Sequence, residues 1–320
     1  MRIGLKKWIR YLVSLILAVG LLALLLSRQR WGEVANRISR ADVRYLLLAA
    51  VIAVLYWTVR SGRWRWIISL ENQQVSFFKA VVSMLAGLGV GLVTPLRSGE
   101  IIRPLFVPKG ARIKLAGWIV IERMFDLSAV LTWCIIGLFY LVFSGVVLIS
   151  GEAVSPWLLI IAPLLLAGAL GVPLLVHYRP AGLWRILSKV LPGKAKELAQ
   201  TRLQWNQFGI FYSISLVSEM LSILSVFCCL RAFGDISLLQ GCALTPVVML
   251  HNLLPATPGG FGVREGVAVL VFGAFGFPSE MILAAYLANA MIVLVIPAAI
   301  GIVAAWVSGV VSQITQGEAE

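Results

Sequence analysis

The sequence predicts an all-α polytopic membrane protein, and three observations carry that prediction. Of its 320 residues, 60% are hydrophobic and only 13% are charged, where ordinary globular domains carry about 25% charged residues. The mean hydropathy is +0.94. The apolar residues also fall into runs of helix-spanning length, and a helix satisfies its own backbone hydrogen bonds where lipid cannot. No stretch reads as a separate soluble domain, so residues 1–320 are expected to form one integral membrane domain.

The first apolar run, Ile9 to Leu26, follows Arg2, Lys6, Lys7 and Arg10. It is longer than a signal-peptide core and no small-residue cleavage site follows, so it reads as a spanning helix with a cytoplasmic N-terminus. Residues 27–44, which include WGEVANRISRADV, read as an amphipathic segment lying at the interface. Further apolar segments are expected at about 45–59, 76–94, 128–149, 157–177, 207–230, 238–254, 261–276 and 282–308. Those at 76–94, 238–254 and 261–276 fall short of the ~20 residues that a full crossing needs.

Loop charge orients the chain. Residues 150–156 carry no Lys or Arg, whereas the 178–206 loop carries Arg179, Arg185, Lys189, Lys194, Lys196 and Arg202. The first loop is therefore expected outside and the second in the cytoplasm. Arg97, Arg103, Lys109, Arg112 and Lys114 put 97–114 in the cytoplasm, and Arg60, Arg63, Arg65 and Lys79 put 60–79 there too. With both flanks on one side, 80–96 dips in and returns as a re-entrant hairpin. The same reasoning makes 238–275 a hairpin entering from outside. About six full-length spans and two Gly/Pro-broken re-entrant hairpins follow, in a pseudo-two-fold inverted repeat with halves 45–150 and 205–310. Both termini fall in the cytoplasm, and the membrane is the cytoplasmic (inner) one. The 27–44 segment, with Arg28, Arg30, Arg37, Arg40 and Arg44, departs from this pattern by lying outside.

The net charge of +13 would suggest nucleic acid in a soluble chain. In a membrane chain it reads instead as basic cytoplasmic loops facing anionic lipid, so no nucleic-acid partner is expected. Cys134, Cys228, Cys229 and Cys242 lie in apolar surroundings, and His177 and His251 are isolated. No disulfide, metal or other cofactor is expected. Trp8, Trp31, Trp64, Trp66, Trp157, Trp184 and Trp205 read as interfacial belts, and Trp57, Trp118, Trp133 and Trp306 as deeper packing residues.

Two interruptions stand out: GLGVGLVTPLRSGEIIR (87–103) and LLPATPGGFGVREG (253–266). Each has an apolar approach, then Thr-Pro, then glycine, then Arg and Glu, and they lie about half the chain apart. Paired Gly/Pro-broken segments in corresponding halves point to a transporter's binding site. Pro95 and Pro258 break the helical ladder beside Thr94 and Thr257, while Gly99, Gly259, Gly260 and Gly262 admit the sharp turns. A half-helix starting there offers free N–H groups to an anion, and arginine adds a planar fork suited to phosphate. Arg97, Arg103 and Arg264 are thus candidates to hold a lipid phosphate. Glu100 and Glu265 would neutralise them when the site is empty, or bind a cationic head group. The competing reading is a set of ion pairs that lock tight turns.

A third cluster lies in WIVIERMFDLSAV (118–130), where Glu122 and Asp126 share one helical face beside Arg123. Glu219, in SLVSEMLSIL, sits in mid-span, where a charge costs roughly 2.5–3.5 kcal/mol on insertion scales. Such residues face a cavity or a partner. For Arg123 and Asp126 the alternative is an interfacial position, where the cost is small. Glu219 is expected either protonated or paired with one of the arginines above.

TPLRSGEIIR (94–103), ERMFDL (122–127) and LPATPGGFGVREG (254–266), with RSGRWRW (60–66) in support, resemble the flippase-like transmembrane family typified by the membrane half of lysylphosphatidylglycerol synthases. The likeness runs from about residue 45 onward, and the last motif is the most specific. The first motif departs from the family pattern at Leu96 and Ser98. The resemblance implies a membrane protein that flips polar lipids such as aminoacylated phospholipid, with relatives linked to polyprenyl-phosphate sugars and hopanoid lipids. Members with lysyl-transfer activity carry a soluble synthase domain after the membrane part. This sequence ends at Glu320, so it is not expected to aminoacylate lipid itself.

The leading expectation is therefore translocation of a polar or anionic lipid through a cavity between the two broken motifs. The partners would be membrane lipids with phosphate-containing head groups and, in one reading, a separate lipid-synthesising enzyme. No nucleotide-binding motif is present, so any energy input is expected from ion or proton coupling or from a gradient of the lipid itself. Glu219, Glu100 and Glu265 are the carboxylates to test for protons. Arg264→Ala and Glu265→Ala are both expected to lower transport without lowering folded protein. A membrane-embedded enzyme or an accessory subunit in phospholipid or polyprenyl-lipid metabolism is the alternative. The enzyme reading lacks an Asp-x-Asp pair, a His cluster or a nucleophile elbow.

Overall fold

The computed structural model describes residues 31–107, 109–143, 157–178, 204–253 and 257–307, and these form helices joined by short turns. The predicted 9–26 span, both termini and all but the edges of the 178–206 loop lie outside the described residues. Ten α-helices follow in order: α1 (Trp31–Ser39), α2 (Val43–Leu70), α3 (Phe77–Val93), α4 (Arg112–Phe143), α5 (Trp157–Tyr178), α6 (Trp205–Phe233), α7 (Leu238–Met249), α8 (Val263–Gly273), α9 (Ser279–Ala290) and α10 (Ile296–Val307). A π-helical turn, Met291–Val295, joins α9 to α10 in one continuous rod. Among the described residues, α2, α4, α6 and that rod are each long and apolar enough to cross a membrane, while α3 and α7 are shorter apolar helices.

The predicted apolar segments recur with instructive shifts. The helix expected at 45–59 continues to Leu70, and the one expected from 128 begins at Arg112. Both were cut short at charged residues that the fold carries inside a helix. The supposed cytoplasmic stretch 60–79 is thus mostly helix: Arg60 and Arg63 are buried, and only Glu71–Ser76 link α2 to α3. The arginines stay helical because carboxylates on α4 meet them.

Local chemistry sets the ends. Asp42 starts α2 by accepting from Arg44 N at 3.0 Å, and the hydrogen bond from the Arg44 side chain holds its carboxyl below the ordinary aspartate range. Ser76 caps α3 through Lys79 N, and Ser237 caps α7 through Gln240 N, both at 3.2 Å. Such caps satisfy amides that have no intrahelical partner. The α1 helix forms within the 27–44 segment and sits at the end of α6, where Arg37 Nη1 donates to Phe233 O at 3.1 Å.

Among the described residues, the two largest apolar clusters lie between the helices. One gathers Trp64, Phe125, Trp118 and Phe211 between α2, α4 and α6. The other gathers Phe233, Phe272, Met281 and Tyr286 between α6, α8 and α9. Between them lie the polar residues described below. Leu47, Val54, Leu164, Ile300 and Val303 remain exposed on outer faces, as lipid-facing side chains do. Trp64, expected in an interfacial belt, is fully buried with Nε1 donating to Ser83 Oγ at 3.1 Å, because its face of α2 turns inward under Arg103. Trp306, expected deep, is 75% exposed on the outer face of α10.

Candidate functional site

The first interruption doubles back. After α3, a 3-10 segment from Pro95 to Phe106 returns along it. Thr94 makes the turn: its hydroxyl donates to Val90 O at 2.9 Å and accepts from Gly99 N at 2.7 Å. Gly99 lies so close to Val90 that a Cβ would sit 2.6 Å from the Val90 carbonyl oxygen. Further along, Ser83 Oγ donates to Arg103 O at 3.0 Å, fixing the returning strand of chain.

The second interruption uses the same parts. Thr257 Oγ1 donates to Phe261 O at 2.9 Å, and Pro258 opens a single 3-10 turn. Gly259, Gly260 and Gly262 adopt φ of 63°, 76° and 81°, values that side chains with a Cβ rarely take. Gly262 N then donates to Glu265 Oε2 at 2.7 Å, which caps α8. The two turns meet: a Cβ on Gly259 would lie 3.2 Å from Leu92 Cδ2. Two motifs far apart in sequence are therefore neighbours, as their matched pattern suggested.

Beside this meeting point lies a network of buried charge. Arg60 Nη2 reaches Glu122 Oε1 at 3.1 Å and Asp126 Oδ2 at 2.9 Å. Arg63 reaches Glu122 Oε1 at 2.6 Å, Asp126 Oδ1 at 2.7 Å and Ser215 Oγ at 2.7 Å. Arg103 Nη1 donates to Glu122 Oε2 at 2.9 Å, and Glu100 pairs with both Arg103 and Arg123. Glu219 stands 3.6 Å from Arg60 Nη1, while Tyr56 accepts from the same nitrogen at 3.2 Å. On the opposite wall, Arg264 donates to Glu265 Oε1 at 2.6 Å and to Tyr286 O at 3.1 Å.

These residues form two layers around a cavity of about 520 Å³. Arg60, Glu100, Arg123, Asp126 and Glu219 line one wall, and His251, Thr257, Gly260, Arg264, Tyr286 and Asn289 line the other. Arg63, Arg103 and Glu122 lie behind the first wall and are 0–1% exposed, so they brace the lining rather than face the cavity. Glu265 plays the same part behind Arg264. At the rim, Ile101 and Val120 are 58% and 47% exposed, and the Arg123 side chain is 39% exposed. The mouth therefore opens beside apolar outer surface.

Among the described residues the niche carries charges of both signs. Arg60, Arg63, Arg103, Arg123 and Arg264 stand against Glu100, Glu122, Asp126, Glu219 and Glu265, five charges of each sign. Buried ions persist only when paired, and the chain supplies every arginine named here with a carboxylate. The Arg97 side chain lies outside the described residues. Glu219, which has no cation near it in sequence, finds one across the helix interface. Arg60 and Arg63 are the site residues that the sequence reading passed over, with Tyr56, Asn289 and the cavity-facing His251. The overlooked clue was RSGRWRW itself: Arg60 and Arg63 are three apart and share one helix face.

A family model described as the lysylphosphatidylglycerol synthase TM region matches residues 11–301 of the chain. Two archaeal relatives are similar along most of their length. The UPF0104 membrane protein MJ1595 of Methanocaldococcus jannaschii is 23% identical over 287 residues, covering 81% of this chain and 83% of that one. The UPF0104 membrane protein PH1989 of Pyrococcus horikoshii is 24% identical over 309 residues, covering 85% and 90%.

Proposed function

We propose that this chain, which belongs to the family of the lysylphosphatidylglycerol synthase TM region, translocates a polar lipid with a phosphate-containing head group across its membrane. One observation carries the reading: a cavity lined by both broken motifs, walled by buried charge and open beside an apolar rim. A head group enters the polar interior while its tails stay in lipid past Ile101 and Val120. Nine-tenths buried, Arg264 has its Nε and Nη2 engaged by Glu265 and Tyr286, while Nη1 faces no protein acceptor among the described residues. That nitrogen is the donor offered to phosphate. The bracing layer keeps the wall charged in the empty state, so that head-group binding exchanges one set of ionic contacts for another.

In this reading α3 with its returning 3-10 segment, and α7 with α8, are re-entrant hairpins of an inverted repeat. Their support is length: the 17 residues of α3 and 12 of α7 rise about 1.5 Å each, short of a hydrocarbon core of about 30 Å. The membrane is the cytoplasmic one, and the chain moves lipid without altering it.

Proteoliposomes holding fluorescent phosphatidylglycerol test the proposal. Protein-dependent loss of protection from an impermeant quencher is the expected result. Arg264→Gln removes charge-assisted hydrogen bonds worth about 1.5–3 kcal/mol, so transport falls roughly 10- to 100-fold. Unchanged protection with wild-type protein, or chemical turnover of the lipid, overturns the reading.

A further inference from the structure

We propose that Glu219 is a proton site loaded together with a monoanionic phosphodiester lipid, making transport an electroneutral co-movement of one lipid anion and one proton. This rests on the transport reading and adds to it the charge class of the lipid and the coupling ion.

The inference begins from the inequality of the carboxylates. Glu122 receives hydrogen bonds from three arginines, Asp126 from two, and Glu265 from Arg264 and Gly262 N. Glu100 bridges Arg103 and Arg123. Each of these carboxylates holds a turn or a helix pair together. Glu219 accepts no hydrogen bond among the described residues. Its one ion pair, to Arg60, is 3.6 Å long, beyond hydrogen-bond distance. It is 5% exposed, lines the cavity and lies in the middle of α6. A proton added there breaks no hydrogen bond, whereas one added to any other carboxylate of the network competes with a hydrogen bond or ion pair already made.

The charges around Glu219 give that proton a consequence. From α2 it faces Arg60, Arg63 and the hydroxyl of Tyr56; from α4, Glu122, Arg123 and Asp126. Glu100 lies on the returning 3-10 segment, and His251, Arg264 and Tyr286 stand across the cavity. Among the described residues the empty network is balanced at five charges of each sign, so in that network an anion entering alone leaves a buried net negative charge. Protonating Glu219 leaves the network one positive charge in excess and releases Arg60 Nη1 from its only weakly held carboxylate. Arg60 and the spare Nη1 of Arg264 then face the cavity together, and a single phosphodiester anion restores balance. The proton remains on the Glu219 carboxyl and no bond of the lipid changes.

Proton uptake on binding tests the idea without requiring transport. Wild-type protein in weakly buffered neutral detergent is titrated with short-chain phosphatidylglycerol while a pH-indicator dye is followed. About one proton taken up per lipid bound is expected, with affinity falling up to tenfold per pH unit once Glu219 is deprotonated. Zwitterionic phosphatidylcholine of the same chain length should evoke none. In Glu219→Gln the uptake disappears and the pH dependence of affinity flattens. Binding without uptake in the wild type, or uptake that persists in Glu219→Gln, overturns the proton site. Equal uptake with glycerophosphoglycerol at the same concentration overturns the lipid as its ligand. In proteoliposomes an imposed pH gradient should drive accumulation, and a potassium–valinomycin potential should not. Transport that follows the potential and ignores the pH gradient refutes the coupling while leaving lipid translocation standing.

Discussion

Replacing Glu122 by Gln removes one charge from the most deeply buried part of the network. Oε1 receives Arg60 at 3.1 Å and Arg63 at 2.6 Å, and Oε2 receives Arg103 at 2.9 Å. At an effective dielectric near 20, each unit-charge pair separated by about 4 Å is worth about 4 kcal/mol before desolvation and the repulsion of Asp126 are counted. Gln keeps the shape and leaves one arginine charge without its counter-charge. Breaking a buried pair in this way costs about 3–5 kcal/mol. At roughly 2 °C per kcal/mol for a large chain, the melting temperature of detergent-solubilised protein should drop by about 6–10 °C. Adding Arg63→Met removes the orphaned cation, and the double variant should recover at least half of that loss, a coupling detectable in a double-mutant cycle. A Glu122→Gln protein melting within about 1 °C of wild type would show that water or bulk ions compensate the charge, and the buried-network argument would fail.

The other structural predictions concern the turns. Glu265→Ala removes both the cap on Gly262 N and the partner of Arg264. It should therefore lower thermal stability by about 3 kcal/mol or more, contrary to the expectation that folded protein would be spared, and melting curves would show it. Gly99→Val places side-chain atoms against the Val90 backbone and should cost about 1–3 kcal/mol by overpacking. The same substitution at Gly110, which has open space around it, should leave the melt unchanged.

Much of this site was readable before any coordinates. Two matched interruptions implied neighbourhood, and Gly259 against Leu92 realises it. Glu122 and Asp126 on one face implied an inward-looking carboxylate pair, and both point to arginines. What escaped was the pairing of the charges. Hydropathy scores each charge alone, so Arg60 and Arg63 looked like the end of a helix and the start of a basic loop. Only the long-range meeting of α2 with α4 turns them from a cost into a partner. The same blindness truncated α4 at residue 128, since nothing local shows that Arg123 and Asp126 will be met from elsewhere. Glu219 was singled out by its depth, and its partner, more than a hundred residues upstream, left no local trace.

The pairing between α2 and α4 also constrains how the chain is made. Ribosomes deliver Arg60 and Arg63 first, and Glu122 follows 62 positions after Arg60. Until it arrives, α2 bears two cations whose insertion at mid-depth costs roughly 2.5–3.5 kcal/mol each. The smallest piece that enters the bilayer with those two cations already paired is therefore the unit from α2 through α4.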